Sequence, residues 1–146
     1  MLNIKNLRKI YKGSTKGIQD LTLTIESGDI CAFIGANGAG KTTTLKSIVG
    51  IHPYDKGEIL LNGVDLQKEA KKFKMMIGYS SDNPDVYENL RGYEYLNFIG
   101  SIYNVDKSTF ESEVNYLAEQ LDLKESLSQL ISNYSHGMKQ RLVLIS

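Results

Sequence analysis

The stretch GANGAGKTT, residues 35–43, constrains the fold of this chain more than any other feature. Glycine and alanine supply five of its first six residues, and a lysine and two threonines follow. The apolar run ICAFI precedes it and the run LKSIV comes soon after it. Residues with little or no Cβ let the backbone curl tightly and bring its N–H groups close to a ligand. The stretch therefore predicts a strand, a tight loop and a helix in succession.

The spacing within this stretch matches a phosphate-binding loop, in which four residues separate two glycines before a lysine and a threonine. Loop N–H groups and the N-terminus of the following helix can hold a triphosphate, and the lysine can bridge its β- and γ-phosphates. The threonine hydroxyl can coordinate Mg²⁺. We expect nucleotide contacts from Gly35, Asn37, Gly38, Ala39, Gly40, Lys41, Thr42 and Thr43. The alternative is a glycine-rich turn that binds no ligand.

Hydrophobic patterning predicts that the first eighty residues are rich in strands. Strands are expected at 2–11, 21–25, 30–34 and 75–79, with turns at 13–17 and 26–29 and a hairpin at 58–66. The continuous apolar run 30–34 favours a strand buried on both faces, with Cys31 as a core residue. A helix is expected at 42–49, ended by Gly50.

The pattern changes to a helical period after about residue 90. Two apolar stripes indicate helices, and their members are Tyr93, Leu96, Ile99 and Tyr103, then Phe110, Val114, Leu117 and Leu121. Ser108 and Glu111 have the spacing of a capping box. A further helix is expected to begin near Gly137, with Ser135 as a good N-cap residue.

The composition is that of an ordinary globular protein and restricts the choice of partners. The chain has 146 residues, the length of one domain. Its 17 basic and 17 acidic residues balance, so bulk charge gives no support to a nucleic-acid partner. A single cysteine excludes an internal disulfide. No run reaches the roughly 20 apolar residues of a membrane helix, so we expect no direct membrane insertion.

Five motifs occur in the order found in one family. They are LNIKNLRKIY, GANGAGKTT, KGEILLNGVDL, IGYSSDNP and YSHGMKQRL. Together the motifs resemble the ATP-binding subunit of an ABC transporter over the whole chain, and the chain is similar to the bacterial multidrug and peptide-antibiotic export branch. The resemblance implies the α/β class and a P-loop NTPase of the ABC ATPase type. The implied fold has an N-terminal antiparallel β part, a P-loop core and a helical subdomain, and in this chain it would be incomplete at the C-terminus.

The resemblance divides the chain into three parts and assigns further site residues. The β-rich and P-loop part would span about 1–85, the helical subdomain 86–135, and the signature motif with the start of its helix 134–146. Tyr11 stands where the family has an aromatic residue that stacks on adenine; the alternative is an ordinary tyrosine at a strand end. Lys41 would be catalytic.

The remaining resemblances concern the signature and the Q-loop. Ser135 and Gly137 would contact the ATP of a second subunit, or Ser135 would be a plain helix cap. His136 stands in place of the family's usual glycine and is expected to face solvent. Asp82 occupies the place of a glutamine that senses Mg²⁺ and the membrane partner, and would be both a catalytic residue and a metal ligand.

The family also has an Asp-Glu pair and a switch histidine beyond the signature helix, and neither is found between Arg141 and Ser146. The chain therefore lacks the Walker B and switch residues that hold Mg²⁺ and position the attacking water. We expect it to bind nucleotide and to turn over little or none. In the family, the strands that carry these residues lie between the strands expected at 30–34 and 75–79. Without them, those two strands would expose unpaired backbone groups. We therefore also expect low stability or pairing with a second copy.

The function implied by the resemblance is binding of ATP and Mg²⁺ and, in the full-length parent, ATP hydrolysis that drives transport across a membrane. The implied partners are a transmembrane permease and a second ATP-binding subunit, with no nucleic acid. The implied location is the cytoplasmic face of the cell membrane, through the permease. The alternatives are a soluble ABC-type ATPase in translation or DNA repair, a phosphate-loop kinase or GTPase, and a nucleotide-binding module without catalysis.

Overall fold

The computed structural model describes residues 1–14 and 16–146, which form two compact units, 1–79 and 80–146. The first unit contains β1 (Leu2–Ile10), β2 (Gly17–Ile25), α1 (Lys41–Ile48), β3 (Lys56–Leu61), β4 (Val64–Asp65) and α2 (Ala70–Lys74). The second contains α3 (Gly92–Ile102), α4 (Lys107–Gln120), single 3₁₀ turns at Lys124–Ser126 and Ile131–Asn133, and α5 (His136–Ile145). Strand-rich residues thus precede a helical block, as the sequence patterning predicts.

The first unit is built on one antiparallel sheet of four strands in the order β2-β1-β3-β4. In the centre, β1 pairs with β2 on one side and β3 on the other. A register irregularity interrupts β1 at Asn6, whose φ is 47°. Gly57 lies beside this point with φ 104°, and a Cβ there would lie 2.6 Å from the Lys5 carbonyl oxygen. Glycine is therefore required where the two chains approach.

The predicted hairpin and the first helix are both confirmed. Asn62 and Gly63 have φ values of 49° and 81°, the two left-handed positions that a type I′ turn requires. Beside them Leu61 pairs with Val64. The turn at 26–29 is closed by a 3.3 Å hydrogen bond from Asp29 N–H to the Glu26 carbonyl. The turn predicted for 13–17 includes Thr15, which lies outside the described residues.

One hydrophobic core joins α1 to the sheet in the first unit. Its buried members are Ile4, Leu7, Ile18, Ile48, Ile59, Val64, Leu66 and Phe73. Ile4 of β1 pairs directly with Ile59 of β3, and both are buried in this core, so the face of the sheet that they share is apolar. Ile48 in the last turn of α1 belongs to this core, and its burial fixes α1 against the sheet. The loop before α1 is thereby held on a stable support.

Two predicted strands are wrong. Residues 30–34 form no strand, and Ile30 and Ile34 are 101% and 91% exposed, with Cys31 exposed between them. Residues 75–79 form no strand either, since Met75 and Met76 continue the turn that ends α2. Among the described residues, no strand pairs with either run. An apolar run becomes a buried strand only when neighbours supply hydrogen bonds and cover, which is the physical reason for both errors.

The second unit packs its helices around a separate core. The buried members are Tyr95, Leu96, Phe110, Val114, Ala118, Leu123, Leu127, Ile131, Tyr134 and Leu142. The predicted stripes account for much of this core, although Tyr93 and Tyr103 are exposed. The predicted capping box of α4 is wrong. Asp106 is the N-cap and accepts a 3.0 Å hydrogen bond from Thr109 N–H, while the Ser108 hydroxyl donates to the Asp106 carboxylate at 2.6 Å.

No helix within 1–14 and 16–146 combines the length and the hydropathy required to cross a membrane.

Candidate nucleotide-binding site

The glycine loop adopts a conformation that its glycines make possible. Gly38 and Gly40 have φ values of 85° and 91°, in the left-handed region that residues with a Cβ avoid. Between them the Ala39 N–H donates a 3.1 Å hydrogen bond to the Ala36 carbonyl and closes a turn. A Cβ on Gly40 would lie 3.1 Å from the Gly17 carbonyl oxygen at the start of β2, whereas one on Gly38 would enter open space. The loop is thus anchored at Gly40 and open at Gly38.

The loop and the start of α1 leave a series of N–H groups open. Gly40 is the N-cap, and the first internal helix bond runs from Thr44 N–H to the Gly40 carbonyl at 2.8 Å. In residues 1–14 and 16–146 no backbone acceptor is found for the N–H groups of Gly38, Gly40 or the first three helical residues. Open N–H groups and the positive end of the helix dipole together favour an anion.

Lys41 lies across this loop. Its Nζ donates hydrogen bonds of 2.6 Å and 3.0 Å to the carbonyl oxygens of Gly35 and Ala36. Both acceptors are neutral, whereas a phosphate oxygen carries negative charge and would add a direct ion–ion attraction to the hydrogen bond. A phosphate oxygen would therefore compete well for this ammonium group. The lysine is held beside the loop by contacts that a polyanion can replace.

The threonines that open α1 have three different environments. The Thr44 hydroxyl donates to the Gly40 carbonyl at 2.9 Å and is buried, so it supports the helix start. The Thr43 hydroxyl lies 3.3 Å from the Tyr11 hydroxyl. Thr42 is exposed, and its hydroxyl has no hydrogen-bond partner in the described part of the chain. Of these three threonines, Thr42 is therefore the one whose hydroxyl is left open.

The structure brings Tyr11 to the glycine loop, although the two are 24 residues apart at their nearest. Besides its hydrogen bond to Thr43, the Tyr11 ring meets the imidazole of His52 edge-on, with ring centroids 6.4 Å apart at 86°. The Lys9 ammonium lies 5.9 Å from the ring centroid. The ring is 41% exposed, so it keeps accessible surface beside the loop. The local sequence around His52 carries no signal for these contacts.

Asp55 fixes the segment that carries His52 to the end of β1. Its carboxylate accepts a 2.8 Å hydrogen bond from Ile10 N–H and lies 3.5 Å from the Lys9 ammonium. The hydrogen bond from Ile10 is the main cause that holds the pKa of Asp55 below its usual range, and Lys9 adds to it. The end of β1, which leads into Tyr11, therefore lies beside a carboxylate that is paired with the Lys9 ammonium.

The signature segment begins a helix in the second unit. Ser135 is the N-cap of α5, and its hydroxyl accepts a 3.3 Å hydrogen bond from Met138 N–H. His136 is exposed, and a Cβ on Gly137 would meet nothing within 4 Å. The cap predicted at Ser135 is thus confirmed, and the backbone around Gly137 is open. Asp82 is exposed, with its backbone carbonyl 3.4 Å from the Gln140 side-chain amide.

The second unit also carries an open groove of about 600 Å³. It is lined by Val86, Tyr87, Glu88, Asn89, Leu90 and Phe98. The rings of Tyr87 and Phe98 meet edge-on with centroids 5.7 Å apart, and the two residues are 59% and 42% exposed. Glu88, the one acidic side chain in the lining, forms an ion pair with Lys139. The groove is therefore mainly apolar and has little uncompensated charge.

A glycine loop that leads into a helix, with a lysine and a threonine at its first two positions, defines the P-loop class of nucleotide-binding proteins. The family model described as ABC transporter matches residues 18–146. The chain belongs to the ABC transporter family, as the order of its motifs predicts, and its ABC ATPase fold class is confirmed.

The relatives of this chain are ATP-binding proteins of transporters. It is 35% identical to an uncharacterized ABC transporter ATP-binding protein, YhcH, of Bacillus subtilis, over 99% of this chain and 46% of that protein. It is 32% identical to the SkfA peptide export ATP-binding protein SkfE of the same organism, over 99% of this chain and 59% of that protein. The chain therefore spans about half the length of these curated relatives.

A solved structure described as the ATP binding subunit of an ABC transporter superposes on 99% of this chain and 60% of its own, with a TM-score of 0.91 and 30% identity. The match extends over both units of the chain. It supports the fold and the family, while YhcH and SkfE give no support to the alternative of an ATPase in translation or DNA repair.

Proposed function

We propose that this chain binds ATP at the 35–43 loop, with the triphosphate on the open N–H groups and the adenine against the ring of Tyr11. The observation that carries the proposal is the open N–H series at Gly38, Gly40 and the start of α1, with Lys41 beside it. A polyanion is the ligand that such a donor set favours. The hydrogen bond between Tyr11 and Thr43 ties the base end of the site to its phosphate end.

The residues at the loop fit a magnesium ion that comes with the nucleotide. Mg²⁺ usually takes one or two protein ligands and completes its shell with phosphate oxygens and water. The Thr42 hydroxyl is open and can be one ligand. The roles of Asp82 as a catalytic residue and metal ligand stay predictions from the resemblance, and its side chain is exposed in the second unit. When bound, the ion would neutralise charge on the β- and γ-phosphates. Within the described residues, no group of three or more His, Cys, Asp and Glu could hold a metal ion alone.

Lys41 has the catalytic role among these residues. Its ammonium group would exchange the carbonyls of Gly35 and Ala36 for oxygens of the terminal phosphates and stabilise the charge that develops there. The loop N–H groups would hold the β-phosphate in place. Hydrolysis also needs carboxylates that hold Mg²⁺ and position the attacking water, whereas the loop and Lys41 account for binding of the nucleotide.

In the full-length parent, the proposal extends to ATP hydrolysis that drives transport across the cell membrane. Two ATP-binding subunits would face each other, and Ser135 and Gly137 of each would contact the nucleotide of the other with the N-terminus of α5. Within the ATP-binding domain, the β-rich and P-loop part would span about 1–85 and the helical subdomain 86–135. The signature motif and the start of its helix would span 134–146. The domain would lie at the cytoplasmic face, attached through a transmembrane permease.

The permease is proposed to dock in the groove lined by residues 86–90 and Phe98. An amphipathic helix would lay its apolar face against Tyr87 and Phe98, as helices do in hydrophobic grooves. Pairing of Glu88 with Lys139 lowers the cost of covering that carboxylate.

The proposed binding is tested by calorimetric titration of the 146-residue chain with Mg-ATP. Lys41→Ala should weaken ATP affinity about tenfold or more, because a hydrogen bond to a charged group is worth about 1.5–3 kcal/mol. Lys46→Ala is the matched control, a lysine later on the same helix, and should change the affinity less than twofold. Equal affinities of wild type and Lys41→Ala would refute the proposal.

A phosphate-release assay on the same samples tests the expectation about turnover. We expect binding without appreciable steady-state release of phosphate. Robust turnover by the 146-residue chain would contradict this expectation. Competition with GTP in the same titration separates this site from that of a GTPase.

A further inference from the structure

We infer that His52 is a positioning residue for the base of the bound nucleotide, acting through Tyr11. The inference rests on the proposed ATP binding and adds a residue to that site. His52 follows the end of the phosphate-binding helix and meets the Tyr11 ring edge-on at 6.4 Å. In residues 1–14 and 16–146, its imidazole has no hydrogen bond or ion pair, so its contact with Tyr11 is its specific interaction.

The backbone of His52 is tied to the helix that carries the phosphate loop. α1 ends at Ile48 with Val49 as its C-cap, and Gly50, whose φ is 71°, then turns the chain away from the helix axis. The N–H groups of Ile51 and His52 then both donate to the Lys46 carbonyl, at 2.8 Å and 3.0 Å. These bonds satisfy the open carbonyl at the helix end. The position of His52 is therefore set by α1 itself.

The other end of the same segment is tied to the strand that delivers Tyr11. Asp55 donates its N–H to the Arg8 carbonyl at 2.8 Å and accepts from Ile10 N–H at 2.8 Å through its carboxylate. Residues 50–55 thus connect the end of α1 with the end of β1. His52 lies between these attachments, next to the ring that follows β1.

Three contacts hold the Tyr11 ring before any ligand arrives. The Tyr11 hydroxyl is hydrogen-bonded to the Thr43 hydroxyl, and the ring packs edge-on with His52. The Lys9 ammonium lies near the ring. Edge-to-face aromatic pairs are favourable beyond the area they bury. A ring whose orientation is already fixed loses less conformational freedom when a base stacks on it. His52 should therefore affect ligands that carry a base and leave bare polyphosphate binding unchanged.

The experiment compares two ligands across the wild-type 146-residue chain and three variants of it. Calorimetric titrations with Mg-ATP and with inorganic tripolyphosphate are carried out on wild type, His52→Ala and His52→Phe. His52→Ala should weaken ATP binding roughly threefold to tenfold, from loss of an aromatic contact, and change tripolyphosphate binding less than twofold. His52→Phe keeps an aromatic edge at this position and should restore ATP binding. Ile51→Ala, an exposed neighbour in the same segment, is the control and should match wild type for both ligands.

Several outcomes would overturn the inference. Unchanged ATP affinity in His52→Ala removes the role altogether. An equal loss for both ligands, or no recovery in His52→Phe, shows that His52 only supports the helix end. An ATP affinity that depends on Lys41 but not on His52 overturns this inference alone. Absence of ATP binding to wild type overturns the proposed function and the inference with it.

Discussion

Gly40 satisfies two constraints at the residue scale, because its φ is left-handed and its Cα faces the Gly17 carbonyl. The repeated glycines predict this backbone freedom from the sequence, since no other residue adopts such a loop without strain. The contact with Gly17 could not be predicted, because it joins residues that only the folded sheet brings together. The same limit applies to Tyr11, Thr43 and His52, whose contacts have no signal in local sequence.

Gly40→Ala should destabilise the first unit and weaken ATP binding. A left-handed φ costs an L-residue roughly 1–2 kcal/mol, and the new Cβ would lie 3.1 Å from a carbonyl oxygen. The free energy of unfolding, measured by urea denaturation, should fall by about this amount. Gly78→Ala is the control, since Gly78 has no positive φ and no atom near its Cβ position. Equal stability of the two variants would contradict the strain assigned to Gly40.

Tyr11→Phe should weaken ATP binding modestly, because it keeps the ring and removes the hydroxyl that meets Thr43. A neutral hydrogen bond contributes about 0.5–1.5 kcal/mol, whereas loss of stacking in Tyr11→Ala costs about 1–3 kcal/mol. Titration with ATP should therefore rank wild type first, then Tyr11→Phe, then Tyr11→Ala. Tyr116→Phe, on the exposed side of α4, is the control. A ranking in which Tyr11→Ala binds as well as wild type would exclude a role in base binding.

Helix ends decide how well single elements can be predicted. Ser135 is a clear N-cap signal, and the structure has it at the start of α5. At α4 the chain offers two good cap residues, Asp106 and Ser108, within three positions. The spacing of Ser108 and Glu111 favours the second, but the helix starts at the first, where Ser108 strengthens the cap through its hydroxyl. Propensity alone does not choose between adjacent caps.

Asp106→Ala should destabilise the second unit at pH 7, and by less in acid. Hydrogen bonds from Ser108 and Thr109 favour the carboxylate and hold the pKa of Asp106 well below its usual range. The stability it contributes is therefore present above the usual aspartate pKa of about 3.9 and is lost as pH falls through the lowered value. The measurement is urea denaturation of both proteins at pH 7 and again below pH 4.

Two further variants separate the charge of Asp106 from its role as a cap. Asp106→Asn keeps a good N-cap without a titrating group, so its stability should lack this pH dependence. Glu113→Ala, an exposed acid on the same helix, should have little effect at either pH. A stability loss in Asp106→Ala that stays constant from pH 7 into acid would contradict the assignment.

At the scale of the whole molecule, burial is the property that the sequence predicts least well. The apolar run 30–34 predicts a strand covered on both faces, yet its ends are almost fully exposed. The local sequence shows that a segment is apolar, but whether the segment is buried depends on which other strands lie beside it. The antiparallel sheet was predictable because its hairpin signal at Asn62-Gly63 and its alternating strands are local features.

The exposed run should make the chain associate with itself. An extended apolar segment with unpaired N–H and C=O groups is a template for pairing with another chain. Sedimentation velocity should show dimers or larger species that increase with concentration, and Ile30→Lys should reduce them. Tyr116→Lys, which places the same charge at another exposed position, should not. A monomer at every concentration, with high thermal stability, would contradict this expectation.

The central claim is that backbone N–H groups of the glycine loop hold the phosphates of ATP. The most direct measurement is a titration of the ¹⁵N-labelled chain with Mg-ATP, followed by the amide resonances in heteronuclear NMR spectra. We predict that the largest shifts belong to the amides of Gly38, Gly40, Lys41, Thr42 and Thr43, and that tripolyphosphate shifts the same amides. Saturable ATP binding that leaves these amides unshifted, or no binding at all, would contradict the claim.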